Sequence, residues 1–124
     1  MALRVLITED DYDLRTIVSD FLTASGYKTT MACDGEEAMA RIKAQRPDLL
    51  ILDLSLPKLD GWSVVRQLRA LPETQTLPVI AFTAHAMAGD RAKAEAAGCN
   101  GFITKPFRPE DLLREIQRLL PSST

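Results

Sequence analysis

Five short apolar runs, alternating with amphipathic stretches, constrain the fold of this 124-residue chain more than any other feature. The runs are typical of β-strands and occupy residues 3–8, 27–32, 48–53, 77–83 and 101–104. The second run is more polar than the others and is typical of an edge strand. Nearly continuous apolar strands separated by helices indicate a parallel sheet that is covered on both faces. The sequence therefore predicts one α/β domain over residues 1–124, with a core at about 3–120 and a frayed tail at 121–124.

The intervening stretches carry helix signals. In the first stretch, apolar residues recur at helical spacing over residues 14–22, and Gly26 follows at the usual C-terminal position. Asp34 with Glu37 resembles a capping box that opens a helix through about residue 45. Asp60 is a candidate cap for the third helix, residues 84–98 are typical of an Ala-rich fourth helix, and the last helix begins near Pro109.

Composition and charge exclude several classes of protein. The chain is 46% hydrophobic and 26% charged, as in a globular protein, and its net charge is −2 without a basic block. This balance argues against nucleic-acid binding. The N-terminal run is too short for a signal peptide or a membrane span, so we expect a cytoplasmic protein without membrane contact. Cys33 and Cys99 have neither metal nor redox spacing, and we interpret them as reduced thiols.

Polar residues stand at the carboxyl ends of four predicted strands. Glu9 and Asp10 follow the first strand, Asp53 ends the third, Thr83 ends the fourth and Lys105 follows the fifth. In a doubly wound sheet of order 2-1-3-4-5, ligands bind outside these ends, and the first and third strands are neighbours. We therefore expect these side chains to share one crevice.

The residue types in this crevice point to phosphoryl chemistry. Three neighbouring carboxylates repel one another unless a cation joins them, and oxygen ligands suit Mg²⁺ or Mn²⁺. Lysine supplies a fixed positive charge, and aspartate can accept a phosphoryl group as an acyl phosphate. Each residue alone also has an ordinary explanation, as a helix cap or a turn residue. Their coincidence at matching strand ends favours the functional interpretation, with Asp53 as the nucleophile.

At this point the chain resembles the receiver domain of two-component response regulators. The resemblance covers residues 3–120 and rests on the segments "LITEDDYDLR", "LLILDLSLPKLDGW", "VIAFTAHAMAGD" and "GCNGFITKPF". It implies a flavodoxin-like (βα)5 fold, with a five-stranded parallel sheet of order 2-1-3-4-5 and helices on both faces. It also implies that Asp53 accepts a phosphoryl group from a phosphohistidine of a histidine kinase or a histidine phosphotransfer protein.

The resemblance assigns metal and phosphoryl roles to individual positions. Asp10 and Asp53 would contact Mg²⁺ directly, Glu9 mainly through water, and Ser55 through its backbone carbonyl. Lys105 would pair with the phosphoryl group. Glu9 stands where Asp is commoner in the family, which bears on whether it contacts the metal directly.

The resemblance also implies switch residues. Thr83 would sense the phosphoryl group, and Phe102 occupies an aromatic switch position at which Tyr is frequent. Because Phe lacks a hydroxyl, we expect its inward rotamer to be populated even before phosphorylation. The peptide bond between Lys105 and Pro106 is expected to be cis. Apart from the resemblance, the places of Ser55 and His85 beside the site lead us to expect that they flank the approach of water to the acyl phosphate; an ordinary helix-start role for His85 is equally open.

Other functions stay open as alternatives. A Mg²⁺-dependent aspartyl-phosphate phosphatase would need an acid two residues after the nucleophile, where this chain has Ser55. A flavodoxin-like cofactor binder would need a phosphate-cradling loop after the first strand, and a degenerate receiver would lack part of the acid, lysine and threonine set. We expect a protein that is not an enzyme beyond its own phosphorylation and dephosphorylation.

The organisation and partners of the chain are expectations of the same kind. No output domain is expected, so a stand-alone regulator is favoured, with a receiver excised from a hybrid histidine kinase as the alternative. Signalling would use the surface of the fourth helix, fifth strand and fifth helix. We expect a monomer or a weak, phosphorylation-dependent dimer.

Overall fold

The computed structural model describes residues 2–56, 60–84 and 89–120, in which five strands alternate with five helices. The strands are β1 (Arg4–Thr8), β2 (Lys28–Ala32), β3 (Leu49–Asp53), β4 (Val79–Thr83) and β5 (Gly101–Thr104). The helices are α1 (Tyr12–Ala24), α2 (Gly35–Ala44), α3 (Gly61–Ala70), α4 (Asp90–Ala97) and α5 (Pro109–Leu119). No helix in these described ranges is long and apolar enough to cross a membrane.

The strand and helix positions agree with the sequence prediction apart from their ends. Strand β4 begins at Val79 rather than at residue 77, because the N–H of Leu77 donates to the Thr74 carbonyl in a turn and Pro78 has no N–H to donate. The expected start of the fourth helix near residue 84 falls partly on residues 85–88, which lie outside the described residues. The described part of α4 begins at Asp90, after Gly89 in a left-handed conformation.

All five strands form one parallel sheet of order β2-β1-β3-β4-β5, which confirms the predicted doubly wound, flavodoxin-like fold. The register places Thr8 opposite Leu52, and Asp53 opposite Phe82. Neighbouring strands therefore end at nearly the same level, which brings the residues that follow them to one edge of the sheet. Strand β2 is an edge strand and is largely exposed, as its polar sequence predicts.

Side chains of the sheet alternate between two hydrophobic clusters, one on each face. On one face, Leu50 and Leu52 pack with residues of α2, α3 and α4. On the other, Leu49 and Ile51 pack with residues of α1 and α5. All five residues of β3 are buried, as expected for a central strand covered on both sides. The packed sheet therefore supports the residues that lie at its carboxyl edge.

The predicted helix caps are present. The Asp34 carboxylate accepts the Glu37 N–H at 2.8 Å, and Asp60 accepts the Ser63 N–H at 2.9 Å. The reciprocal bond of the capping box differs from the usual pattern, because Glu37 accepts the N–H of Cys33 rather than that of Asp34. Both caps satisfy helix N–H groups that otherwise lack a partner.

Candidate functional site

Backbone hydrogen bonds continue the sheet past the ends of three strands and hold the site residues in place. The Glu9 N–H donates to Ala32 O at 3.1 Å, and the Leu54 N–H donates to Phe82 O at 3.1 Å. The Lys105 N–H donates to Thr83 O at 2.9 Å. The backbone at Glu9, directly after Asp53 and at Lys105 is therefore anchored to the neighbouring strand.

Asp53 is a buried carboxylate in which both oxygens have partners. Its exposed fraction is 3%. Oδ2 accepts the Lys105 ammonium at 3.0 Å, and Oδ1 accepts the backbone N–H of Ser55 at 2.8 Å. These contacts compensate for the burial of a charge that would otherwise be costly. They also fix the orientation of the carboxylate at the end of the central strand.

Lys105 joins the two buried acids. Its ammonium donates to Glu9 Oε1 as well as to Asp53, and it lies 4.8 Å from the centroid of the Phe82 ring. Although burial alone would lower the pKa of Lys105, its hydrogen bonds to Glu9 and Asp53 raise that pKa above the ordinary lysine value. Lys105 therefore remains a fixed positive charge beside Asp53 at neutral pH.

Glu9 is almost fully buried, whereas its neighbour Asp10 is exposed. Its Oε1 accepts the Lys105 ammonium and its Oε2 accepts the Asp11 N–H at 3.0 Å. Burial and the nearby Asp10 carboxyl raise the pKa of Glu9 to about 7, against the lowering effect of the Asp11 N–H and Lys105. The Glu9 backbone carbonyl also accepts the Arg15 guanidinium at 2.8 Å, a contact that the sequence did not predict.

The acids form a donor set that suits a hard divalent cation. One carboxylate oxygen each from Glu9, Asp10 and Asp53 can be chosen so that all lie within 4.8 Å of one another. An all-oxygen set fits Mg²⁺ or Mn²⁺ better than a soft metal. Both Glu9 oxygens and both Asp53 oxygens already accept protein donors, whereas Asp10 is exposed, so Asp10 is the acid most accessible to an ion. The expectation that Glu9 acts through water stays a prediction.

Thr83 and Phe102 lie on adjacent strands and on one face of the sheet. Thr83 pairs with Thr104, and Phe102 pairs with Ala81, two residues earlier in the same ladder. Both Thr83 and Phe102 have an exposed fraction of 4%. Phe102 is thus buried in this structure, and the expected population of an inward rotamer before phosphorylation stays a prediction.

Of the remaining predicted positions, the structure describes Ser55, Lys105 and Pro106. Ser55 is exposed and contributes its backbone N–H to Asp53. The peptide bond between Lys105 and Pro106 is cis. His85 lies outside the described residues, so its expected place near the phosphoryl group stays a prediction.

Gly61 is a site residue that the sequence analysis did not identify. A Cβ atom at this position would lie 2.5 Å from Asp53 O and 2.6 Å from the Cα of Leu54. The start of α3 therefore packs directly against the backbone of the nucleophile candidate, which only glycine allows. The signal was present in the pair Asp60–Gly61, where a helix cap is followed by a poor helix former.

A comparison with protein families agrees with this geometry. A family model described as "Response regulator receiver domain" matches residues 5–117. The response regulator MprA of Mycobacterium bovis (strain BCG / Pasteur 1173P2) is 38% identical over 120 residues, which are 97% of this chain and 51% of MprA. The chain thus spans about half the length of this relative.

Two solved structures with 32% and 36% sequence identity to this chain have the same fold. The chemotaxis protein CheY4 of Vibrio cholerae is 32% identical with a TM-score of 0.90, over 97% of this chain and 100% of that one. The receiver domain of the sensor histidine kinase PA1611 from Pseudomonas aeruginosa is 36% identical with a TM-score of 0.89, over 98% and 100% of the two chains. That structure has a magnesium ion coordinated in its active site cleft. From its sequence, topology and acidic site, this chain belongs to the response regulator receiver domain family of two-component systems.

Proposed function

We propose that this receiver domain accepts a phosphoryl group on Asp53 from a phosphohistidine of a histidine kinase or a histidine phosphotransfer protein. The observation that carries the proposal is the Asp53 carboxylate itself. It is buried at the end of the central strand, bound by Lys105 and the Ser55 N–H, and lies beside the acids Glu9 and Asp10. A carboxylate held in this way can act as an oriented nucleophile.

In the proposed reaction, an oxygen of Asp53 forms a bond to phosphorus while the bond between phosphorus and the donor histidine nitrogen breaks. The nitrogen takes the electron pair of that bond and later a proton. Lys105 neutralises the added negative charge, and the Ser55 N–H continues to orient the carboxylate. Asp10 and Asp53 would hold a divalent cation, with Glu9 bound through water and Ser55 through its carbonyl. When bound, Mg²⁺ supplies positive charge that offsets the repulsion between the carboxylates and the phosphoryl oxygens.

Among alternative functions, an aspartyl-phosphate phosphatase has least support. Such an enzyme needs a carboxylic acid two positions after the nucleophile. In this chain that position is the exposed Ser55, which has a hydroxyl instead. We therefore propose that the domain catalyses only its own phosphorylation and dephosphorylation. We also propose that Ser55 and His85 influence the lifetime of the acyl phosphate.

The organisation of the whole protein is part of the proposal. We propose that the domain acts in the cytoplasm, monomeric or weakly dimeric on phosphorylation, either as a stand-alone regulator or as part of a longer protein. The likeness to the PA1611 receiver domain supports the alternative of a receiver that belongs to a hybrid histidine kinase. In either arrangement the signal would leave through protein contacts on α4, β5 and α5.

The experiment that tests the proposed function is phosphorylation by a small donor. On incubation with acetyl phosphate and Mg²⁺, intact-mass spectrometry should show the gain of one phosphoryl group, which base removes. The same incubation with EDTA should show little or none. A phosphoryl group gained equally without a divalent cation would contradict the proposed metal dependence.

The two acids after β1 should differ in their effect on metal binding. Asp10→Ala removes an exposed carboxylate of the acidic set, whereas Glu9→Gln changes a buried side chain whose oxygens already accept protein donors. We expect Asp10→Ala to weaken Mg²⁺ binding by about tenfold or more and Glu9→Gln to weaken it less. Fluorescence of Trp62, the single tryptophan, at the start of α3, provides the titration signal. A greater loss in Glu9→Gln would reverse the two roles.

Thr83 should couple phosphorylation to the signalling surface. A phosphoryl group offers strong acceptor oxygens, which would draw the Thr83 hydroxyl towards Asp53. Thr83→Ala is therefore expected to leave Asp53 phosphorylatable and to uncouple it from partner binding. NMR shifts on phosphorylation should concentrate in residues 83–107 of the wild type and shrink there in the variant. Shifts confined to the surroundings of Asp53 in the wild type would contradict this coupling.

A further inference from the structure

The ring of Phe102 lies in the hydrophobic cluster between the sheet and helices α2, α3 and α4. Its exposed fraction of 4% leaves only a small part of the residue open to solvent. Hydrophobic burial favours this position, but the residue lies close to the surface because β5 is an edge strand. The side chains that cover the ring from outside therefore contribute to how firmly it is held.

Arg91 on α4 contacts Phe102 in two ways. The central carbon of its guanidinium lies 5.4 Å from the centroid of the Phe102 ring, within the range of a cation–π interaction. Its Nη2 also donates to the Phe102 backbone carbonyl at 3.3 Å. One side chain thus covers the ring and contacts the backbone of the same residue. Both contacts join α4 to β5.

The charge of Arg91 also affects a charged residue of α5. A hydrogen bond from Arg118 and, to a smaller extent, the charge of Arg91 hold the pKa of Glu115 below its ordinary value. Arg118 in turn donates to the Asn100 carbonyl at 2.8 Å, just before β5. Charged side chains from both α4 and α5 therefore meet the backbone of the β5 region beside Phe102.

We infer that Arg91 is a positioning residue that holds the Phe102 ring in its buried position and thereby limits how far phosphorylation can change that position. The inference rests on the proposed function for its link to Asp53. The physical reason is that a phosphoryl group can shift the ring only by its differential interaction with the buried and outward states. If Arg91 already favours the buried state, less of the population remains to be shifted.

The predicted effect can be stated as a change in population. A cation–π contact at a partly exposed site contributes enough to change the ratio of buried to outward ring by a factor of about two to five. Arg91→Ala should lower the ratio by this factor in the absence of any phosphodonor. On phosphorylation the variant should then show a larger change at Phe102 than the wild type shows.

The measurement is fluorine NMR of the full chain with 4-fluorophenylalanine at its four phenylalanine positions. The resonance of position 102 is identified from its loss in Phe102→Leu, and its exposure is measured by the shift between H₂O and D₂O. Arg91→Ala should increase this solvent shift. Arg91→Gln, which keeps a hydrogen-bond donor but no charge, should increase it to a similar extent, and Arg91→Lys should increase it less.

A matched control is available on the same helix. The Lys93 ammonium lies 5.8 Å from the centroid of the Trp62 ring, so Lys93→Ala removes a similar contact from a different aromatic residue. This variant should leave the Phe102 resonance unchanged. An unchanged resonance in Arg91→Ala, or an equal change in Lys93→Ala, would overturn the inference.

The second part of the experiment compares the wild type with Arg91→Ala after phosphorylation. With acetyl phosphate and Mg²⁺, Arg91→Ala should gain the phosphoryl group as the wild type does and show the larger shift of the Phe102 resonance. An equal or smaller shift than in the wild type would overturn the link to the switch. Failure of every chain, including the wild type, to gain the phosphoryl mass would instead contradict the proposed function, while the comparison without phosphodonor would still decide the positioning role of Arg91.

Discussion

Asp53→Asn is expected to abolish phosphorylation of this domain by acetyl phosphate and Mg²⁺. The substitution preserves the shape of the side chain but replaces the carboxylate oxygens with a neutral amide, which is a far weaker nucleophile. It also removes the charge that Lys105 contacts at 3.0 Å and one of the carboxylates that would hold the cation. Intact-mass spectrometry should detect no phosphoryl group on the variant when the wild type is substantially modified.

Asp13→Asn is the matched control. Asp13 is an exposed residue in the first turn of α1, so this change removes one negative charge near the site without touching the buried acids. We expect it to be phosphorylated as the wild type is. Equal phosphorylation of Asp53→Asn and wild type, with circular dichroism showing both folded, would refute the assignment of the phosphoacceptor.

Gly61→Ala is expected to have the second largest effect. The added Cβ would lie 2.5 Å from Asp53 O and 2.6 Å from the Cα of Leu54, and backbone atoms cannot rotate away as a side chain can. The loop after β3 must therefore move relative to α3. We expect the free energy of unfolding, measured by chemical denaturation, to fall by about 2–3 kcal/mol. The rate of phosphorylation should fall as well, because the displaced backbone carries Asp53.

Gly26→Ala is the control that separates a loss of stability from a loss of phosphorylation rate. Gly26 has a φ of +101°, and a Cβ there would contact nothing within 4 Å. This variant should lose about 1 kcal/mol of stability through backbone strain alone. Its phosphorylation rate should match that of the wild type, because Gly26 lies after α1 and away from the carboxyl edge of the sheet. If Gly61→Ala were as stable and as rapidly phosphorylated as wild type, the close packing of α3 on the Asp53 backbone would be wrong.

The sheet and the position of the site were predictable because both depend on local patterns. Four apolar runs bounded by polar residues predicted buried parallel strands, and the polar β2 predicted an edge. Once the strand order was assigned, the ends of β1, β3, β4 and β5 had to meet at one edge. The proximity of Glu9, Asp53 and Lys105 follows from that topology, although 96 positions separate Glu9 from Lys105 in the sequence.

The details that sequence could not supply depend on contacts between distant segments. The partners of both Glu9 oxygens come from Lys105 and the Asp11 backbone, and no periodicity encodes them. The role of Gly61 depends on how closely α3 approaches β3, and that of Arg91 on how α4 lies over Phe102. Such distances are set by tertiary packing rather than by residue type. The same reason explains why Glu37 bonds to Cys33 instead of completing the usual capping box.

The most direct test of the central claim is to locate the phosphoryl group on the wild-type chain. An acyl phosphate is reduced by borohydride, and reduction of a phosphorylated aspartate converts it to homoserine, which peptide mass spectrometry can identify. After treatment with acetyl phosphate and Mg²⁺, the account predicts this conversion at residue 53 alone. Conversion of Asp10 to homoserine, reduction of Glu9 to 2-amino-5-hydroxypentanoic acid, or a phosphoryl group that resists reduction and lies on a serine or threonine would contradict it.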